Sequence, residues 1–124
     1  MNNQDPQTLL PLTPLTFHVL LALADTNRHG YGIIKEVSSR TDGQMELEAG
    51  TLYAALKRMR DEGLIEIIPS AERPASEDSR RRTYRLTTFG RGVLQAESTR
   101  LAHLIGVVVQ KEVIPLSSAL GDAQ

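Results

Sequence analysis

The chain of 124 residues has no cysteine and no tryptophan. Without thiols it can form neither disulfides nor thiolate metal sites, and a disulfide-free chain suits a reducing cytosol. Its three histidines, His18, His29 and His103, lack the spacing that a metal site needs. Neither a metal nor another cofactor is expected. The apolar run Ile105–Val109, with Gly106 inside it, falls far short of the roughly 20 residues of a membrane-spanning helix. The first residues, Met1 to Asp5, have neither the basic start nor the apolar stretch of a signal peptide. No membrane partner is expected, and a cytoplasmic location is. Catalytic patterns are missing too: there is no glycine-rich phosphate loop, no catalytic carboxylate pair and no locally supported Ser/His/Asp arrangement. These absences weigh against an enzyme.

What remains is an ordinary globular composition, 40% hydrophobic, in a length that suits one compact domain plus one extra element. The net charge is −1, yet nine of the fourteen basic residues fall between Lys57 and Arg91. A fold that gathers part of these on one face can bind phosphates despite the acidic sum.

Residues 1–11 are polar, hold Pro6 and Pro11, and show no period; they read as a flexible arm. Thr13 can cap a helix with Pro14 at its first position. That helix, through Leu23, is apolar on more than one face. Asp25–Gly30 reads as a turn. A second helix over Tyr31–Arg40 carries the stripe Ile33, Ile34, Val37 and stops at Thr41–Gly43. Met45–Glu48 alternates, as a short strand or extended segment does. A third helix over Gly50–Glu62 buries Leu52, Leu56 and Met59, and a neighbouring stripe, Tyr53, Lys57 and Arg60, points outward. Gly63 closes it. Leu64–Ile68 and Arg82–Leu86 form a hairpin around the polar segment 70–79. A last helix runs from Phe89 to about Val113, capped by Thr87 or Thr88, followed by a frayed tail. The expected units are an arm (1–11), a DNA-binding domain (12–87), a dimerisation helix (88–114) and the tail (115–124).

The predicted fold class is mainly α with a small β-hairpin, a winged helix-turn-helix plus a C-terminal dimerisation helix. The third helix fits a major groove about 12 Å wide. It begins with the small residues Gly50 and Thr51, which permit close approach to a sugar-phosphate chain. Tyr53 and Lys57 project from its open face, and Arg60 follows on the same stripe. Arg80, Arg81 and Arg82 stand at the end of the wing, where alternation lets two of the three face phosphates. His29, at the turn into the second helix beside Tyr31, can reach a phosphate of the same backbone. Double-stranded DNA is the expected partner.

Four pieces of this sequence resemble the PadR family of transcriptional regulators. They are His29–Gly30–Tyr31–Gly32–Ile33–Ile34, Gly50–Thr51–Leu52–Tyr53–Ala54–Ala55–Leu56, Asp61–Glu62–Gly63–Leu64–Ile65, and Arg81–Arg82–Thr83–Tyr84–Arg85–Leu86–Thr87 followed by Gly90. They occur in the family's order across about residues 12–110, and the short final helix resembles the smaller branch of the family. The resemblance implies a homodimeric repressor of a nearby promoter, often relieved by a small aromatic or apolar effector, with Tyr53 and the region of Tyr31 near the DNA backbone. Two departures stand out. Glu48–Ala49 precedes Gly50 where relatives often carry serine-proline, and no tryptophan is present to sandwich a flat ligand.

The dimer also follows from the residues. Leu101–Val109 is apolar almost all round, and a terminal helix cannot bury several faces in its own small domain. The expected seam comprises Leu15, Phe17, Leu94, Leu101, Leu104, Ile105 and Val108. A twofold dimer sets its recognition helices roughly 34 Å apart and reads a pseudo-palindromic operator. Phe17, Leu21, Leu101 and Ile105 are the candidates for an effector pocket. The alternative function is a winged-helix protein-interaction adaptor or anti-repressor that does not bind DNA, which need not keep the basic wing or the Tyr53/Lys57 face.

Overall fold

A computed structural model describes residues 5–69 and 82–121. A single 3-10 turn, Pro6–Leu9, leads into α1 (Pro14–Ala22), β1 (Arg28–His29), α2 (Gly30–Arg40), α3 (Ala49–Asp61), β2 (Ile65–Ile67), β3 (Thr83–Leu86), α4 (Thr88–Gln110) and α5 (Leu116–Ala119). The class is the expected one, mostly helical with a small antiparallel sheet.

Local signals set most of these limits. The Thr13 side chain accepts from the Thr16 N–H at 3.2 Å, with Pro14 at the first helical position. The α3 helix ends at Gly63, whose φ of 79° is open to glycine at little cost. There the Gly63 N–H reaches the Arg60 carbonyl and the Leu64 N–H reaches the Met59 carbonyl, a Schellman closure. Thr87, rather than Thr88, caps α4 by accepting from the Gly90 N–H at 2.9 Å. A Cβ on Gly90 would lie 1.9 Å from the Leu64 carbonyl oxygen, so the start of α4 can rest on the start of β2 only without a side chain there.

Val19 and Leu20 of α1, Ile33 and Val37 of α2, Leu52, Leu56 and Met59 of α3, and Val93 of α4 meet in one core and are at most 1% exposed. Fully burying each such side chain favours folding by about 1.5–3 kcal/mol. The apolar surplus of α1 is thereby explained, since it packs against both α2 and α4.

Three expectations need correction, and one open alternative, at Met45–Glu48, is decided. The turn at Asp25–Gly30 contains β1: Arg28 pairs with Tyr84 and His29 with Thr83, giving a three-stranded sheet in the order β1-β3-β2 rather than a bare hairpin. Two residues are too few to show a period, and their partner lies in a strand more than fifty residues later. Met45–Glu48 forms no strand; Met45 and Leu47 lean on the core from an extended connection without pairing. The arm is not loose over its described part. Asp5 caps the 3-10 turn, Leu9 and Leu10 pack on the core, and the Leu12 N–H donates to Glu97 Oε2 at 3.0 Å. Finally, the last helix stops at Gln110, Glu112 takes a φ of 61°, and part of the tail winds into α5.

Candidate nucleic-acid interface

The α3 helix divides cleanly. Leu52, Ala55, Leu56 and Met59 are buried, while Gly50, Thr51, Tyr53, Lys57 and Arg60 are exposed. The two stripes follow the 3.6-residue period, so the same packing that fixes the helix aims the second stripe outward. Lys57 Nζ sits 3.1 Å from Asp61 Oδ2, but both side chains are largely solvated, and such a pair holds the lysine with only about 0.3–0.5 kcal/mol. A side chain at Gly50 would meet nothing within 4 Å, so packing inside the chain does not demand glycine there.

The sheet brings distant residues to the side of this helix. Tyr84 of β3 is buried, and its hydroxyl is flanked by Tyr53, Arg82 and Arg60. Burial pushes the Tyr84 phenol up, and the neighbouring Tyr53 adds to this. The Arg82 and Arg60 guanidinium groups and a hydrogen bond with Arg82 pull the other way. Arg82 is exposed at the root of the wing. Arg80 and Arg81 lie outside the described residues.

Tyr31, at the start of α2, is 60% exposed, with the Lys35 ammonium 5.6 Å from its ring centroid. His29 is half-buried, and its Nδ1 lies 3.1 Å from the Thr83 hydroxyl, so it helps hold β1 to β3 as well as standing at the helix start. Two residues at or beneath this surface escaped the sequence reading. Lys35 follows Tyr31 by four, the same aromatic-then-basic spacing as Tyr53 and Lys57, and that repetition was a usable signal. Tyr84 gave none, because only the strand register reveals its neighbours.

Other basic residues serve the fold. Arg28 Nε donates to the Ala22 carbonyl at 2.7 Å, and its guanidinium faces Glu36 at 3.5 Å. Arg40 joins Glu36 at 2.8 Å to the His18 carbonyl and ring, where burial and the Arg40 charge lower the imidazole below its ordinary value. Arg85 pairs with Glu66 across the hairpin.

The residues expected at the dimer seam separate. Leu94 is buried in the core of its own chain, so the seam proposed below omits it. Leu15 and Phe17 are half-buried against that core, and Leu101 and Val108 are half-buried. Leu104 and Ile105 are 46% and 41% exposed. Of the effector-pocket candidates, Phe17, Leu21 and Leu101 are half-buried and Ile105 is exposed. None of the four lines either of two surface cavities, of about 420 Å³ beside Leu9, Leu12, Thr16 and Arg58 and about 460 Å³ beside Gln7, Ala96, Arg100 and His103. Among the described residues, no His/Asp/Glu cluster has the makings of a metal site, and no helix is long and apolar enough to cross a membrane.

Three helices, a basic outward stripe on the third and a wing behind it define a winged-helix transcriptional regulator. The sequence profile of the PadR-like family of transcriptional regulators matches residues 19–96, and the chain belongs to that family, which is one of regulators and not of enzymes. It is similar to a PadR family regulator from hypervirulent Clostridium difficile, at 28% identity and a TM-score of 0.63 over 79% of this chain and 97% of that one. Bacillus subtilis PadR, solved in complex with operator DNA, shares the fold at 22% identity and a TM-score of 0.57, over 73% of this chain and 48% of its own. An uncharacterised 37.1 kDa protein from a Streptomyces fradiae transposon is 38% identical over 98 residues, 77% of this chain. The match spans a quarter of that relative's length.

Proposed function

We propose that this regulator binds double-stranded DNA as a homodimer, reads a pseudo-palindromic operator and represses the adjacent promoter until a small aromatic or apolar effector releases it. The observation that carries the reading is the division of α3. Its apolar stripe is consumed by the core, while Tyr53, Lys57 and Arg60 stand in solvent on a neighbouring face. A tyrosine hydroxyl and two cations on one helical face suit a groove edge and its phosphates. The open space in front of Gly50 supports close approach by a backbone that is not the chain's own. The operator complex of Bacillus subtilis PadR supports this reading through the shared fold.

Dimerisation draws support from Leu104 and Ile105, large apolar side chains left in solvent on α4. Leu101 and Val108 extend that patch along the helix, and the half-buried Leu15 and Phe17 of α1 complete the expected seam. Effector release rests on the family resemblance and on the partly open group Phe17, Leu21, Leu101 and Ile105. A cytoplasmic location fits a protein that acts on DNA.

The test is fluorescence anisotropy with a labelled duplex from upstream of the protein's own gene and with a scrambled duplex, at two salt concentrations. We expect salt-dependent binding that prefers the upstream duplex, with two chains per site. Equally weak binding to both would favour the protein-interaction adaptor.

A further inference from the structure

Gly30 opens α2 with an ordinary negative φ, so its backbone conformation does not call for glycine. Alanine is the better helix former there by intrinsic propensity. The reason for glycine lies across the interface with α3. A Cβ on Gly30 would come 2.4 Å from the Tyr53 hydroxyl oxygen, 2.7 Å from Cζ and 3.0 Å from Cε1. The end of the Tyr53 ring therefore rests directly on the Gly30 backbone. Gly30 is buried beneath it, while Tyr53 remains half exposed.

We propose that Gly30 is a positioning residue for DNA recognition: its missing side chain is the socket that holds Tyr53 in one orientation on the outward face of α3. This deepens the DNA-binding reading above and rests on it. The mechanism is steric. The three heavy atoms nearest to an alanine Cβ at position 30 all belong to the Tyr53 side chain. Being half exposed, it can swing into solvent and relieve the clash, so the fold survives while the hydroxyl leaves its place. Gly90 is the counter-case, because the atom opposing it is backbone and cannot swing away.

The socket predicts a specific non-additivity. Gly30→Ala should weaken binding to the upstream duplex by roughly tenfold, within the range of coupling between residues in contact. In a Tyr53→Ala background the same substitution should cost almost nothing, since the clashing ring is gone. A readout without DNA accompanies this. In Gly30→Ala the aromatic NMR signals of Tyr53 should move towards exposed values. An equal loss of affinity in both backgrounds would overturn the proposal by pointing to a general disturbance of α2. Unmoved Tyr53 signals would overturn it whatever happens to DNA binding. Signals that move with no change in affinity would reduce the socket to packing and take Tyr53 out of the interface. Failure of the unaltered protein to bind any duplex would instead overturn the DNA-binding reading on which the proposal rests.

Discussion

The α3 helix and the distal half of α4 each leave one face uncovered, and the two faces differ in chemistry. The α3 face carries Tyr53, Lys57 and Arg60, side chains that are stable in water. The α4 face carries Leu104 and Ile105, and beyond it Val113, Leu116 and Leu120 are 61–74% exposed. At about 25 cal/mol per Å² of apolar surface, the second face gains from being covered by something dry. The first gains nothing from burial unless charge meets charge. The chemistry of the first face suits a solvated polyanion and that of the second an apolar partner. The proximal half of α4 has already met its need, because Val93, Leu94 and Glu97 are buried in the protomer itself.

The comparison can be broken first at α4. Leu104→Asp should abolish dimerisation, because a carboxylate in an apolar seam is costly unless paired. Sedimentation should show a folded monomer, and a stable dimer would remove this face from the account. Next, replacing Arg80, Arg81 and Arg82 together by alanine should leave the oligomer intact and lower the salt slope of DNA binding by about one to two units. An unchanged slope would take the wing out of the interface. Lys57→Ala should have a smaller effect, about one unit of slope, with no loss of thermal stability since its pair with Asp61 is solvated.

The smallest effect concerns acid. The Arg100 side chain first, and the Leu12 N–H after it, hold the Glu97 carboxyl below the ordinary glutamate value of 4.5, against the opposing effect of burial. A carboxyl depressed on folding contributes stability that is present above 4.5 and lost as pH falls through its folded value. Melting temperature should drop more steeply below pH 4.5 in the unaltered protein than in Glu97→Gln. Parallel curves would show that this clasp does not govern acid stability.

Legibility in the sequence follows the range of each signal. Helices α1 to α4 and the hairpin strands were readable because caps, stops and apolar periods lie within a few residues, as at Thr13–Pro14, Gly63 and Thr87. The outward stripe Tyr53–Lys57–Arg60 was readable for the same reason, since one helical period fixes both faces at once. The missed features depend on distant partners. Strand β1 exists because β3 lies beside it, and the described part of the arm is tied down because Glu97, 85 residues beyond Leu12, accepts its N–H. Leu94 was legible as apolar but not as belonging to the inner core, because period alone does not say which of two partners covers a face. Gly30 could be read as a turn residue; the ring resting on it could not.

The most direct test of the account is a hydroxyl-radical footprint on the duplex from upstream of the protein's own gene. A dimer that presents two α3 helices should protect two patches on one face of the duplex, centred about one helical turn, roughly 34 Å, apart. Protection should disappear in Leu104→Asp at concentrations where the unaltered protein saturates its site. A single patch, or undiminished protection by the monomeric variant, would contradict the claim that the apolar face of α4 pairs two chains so that their polar faces can read DNA together.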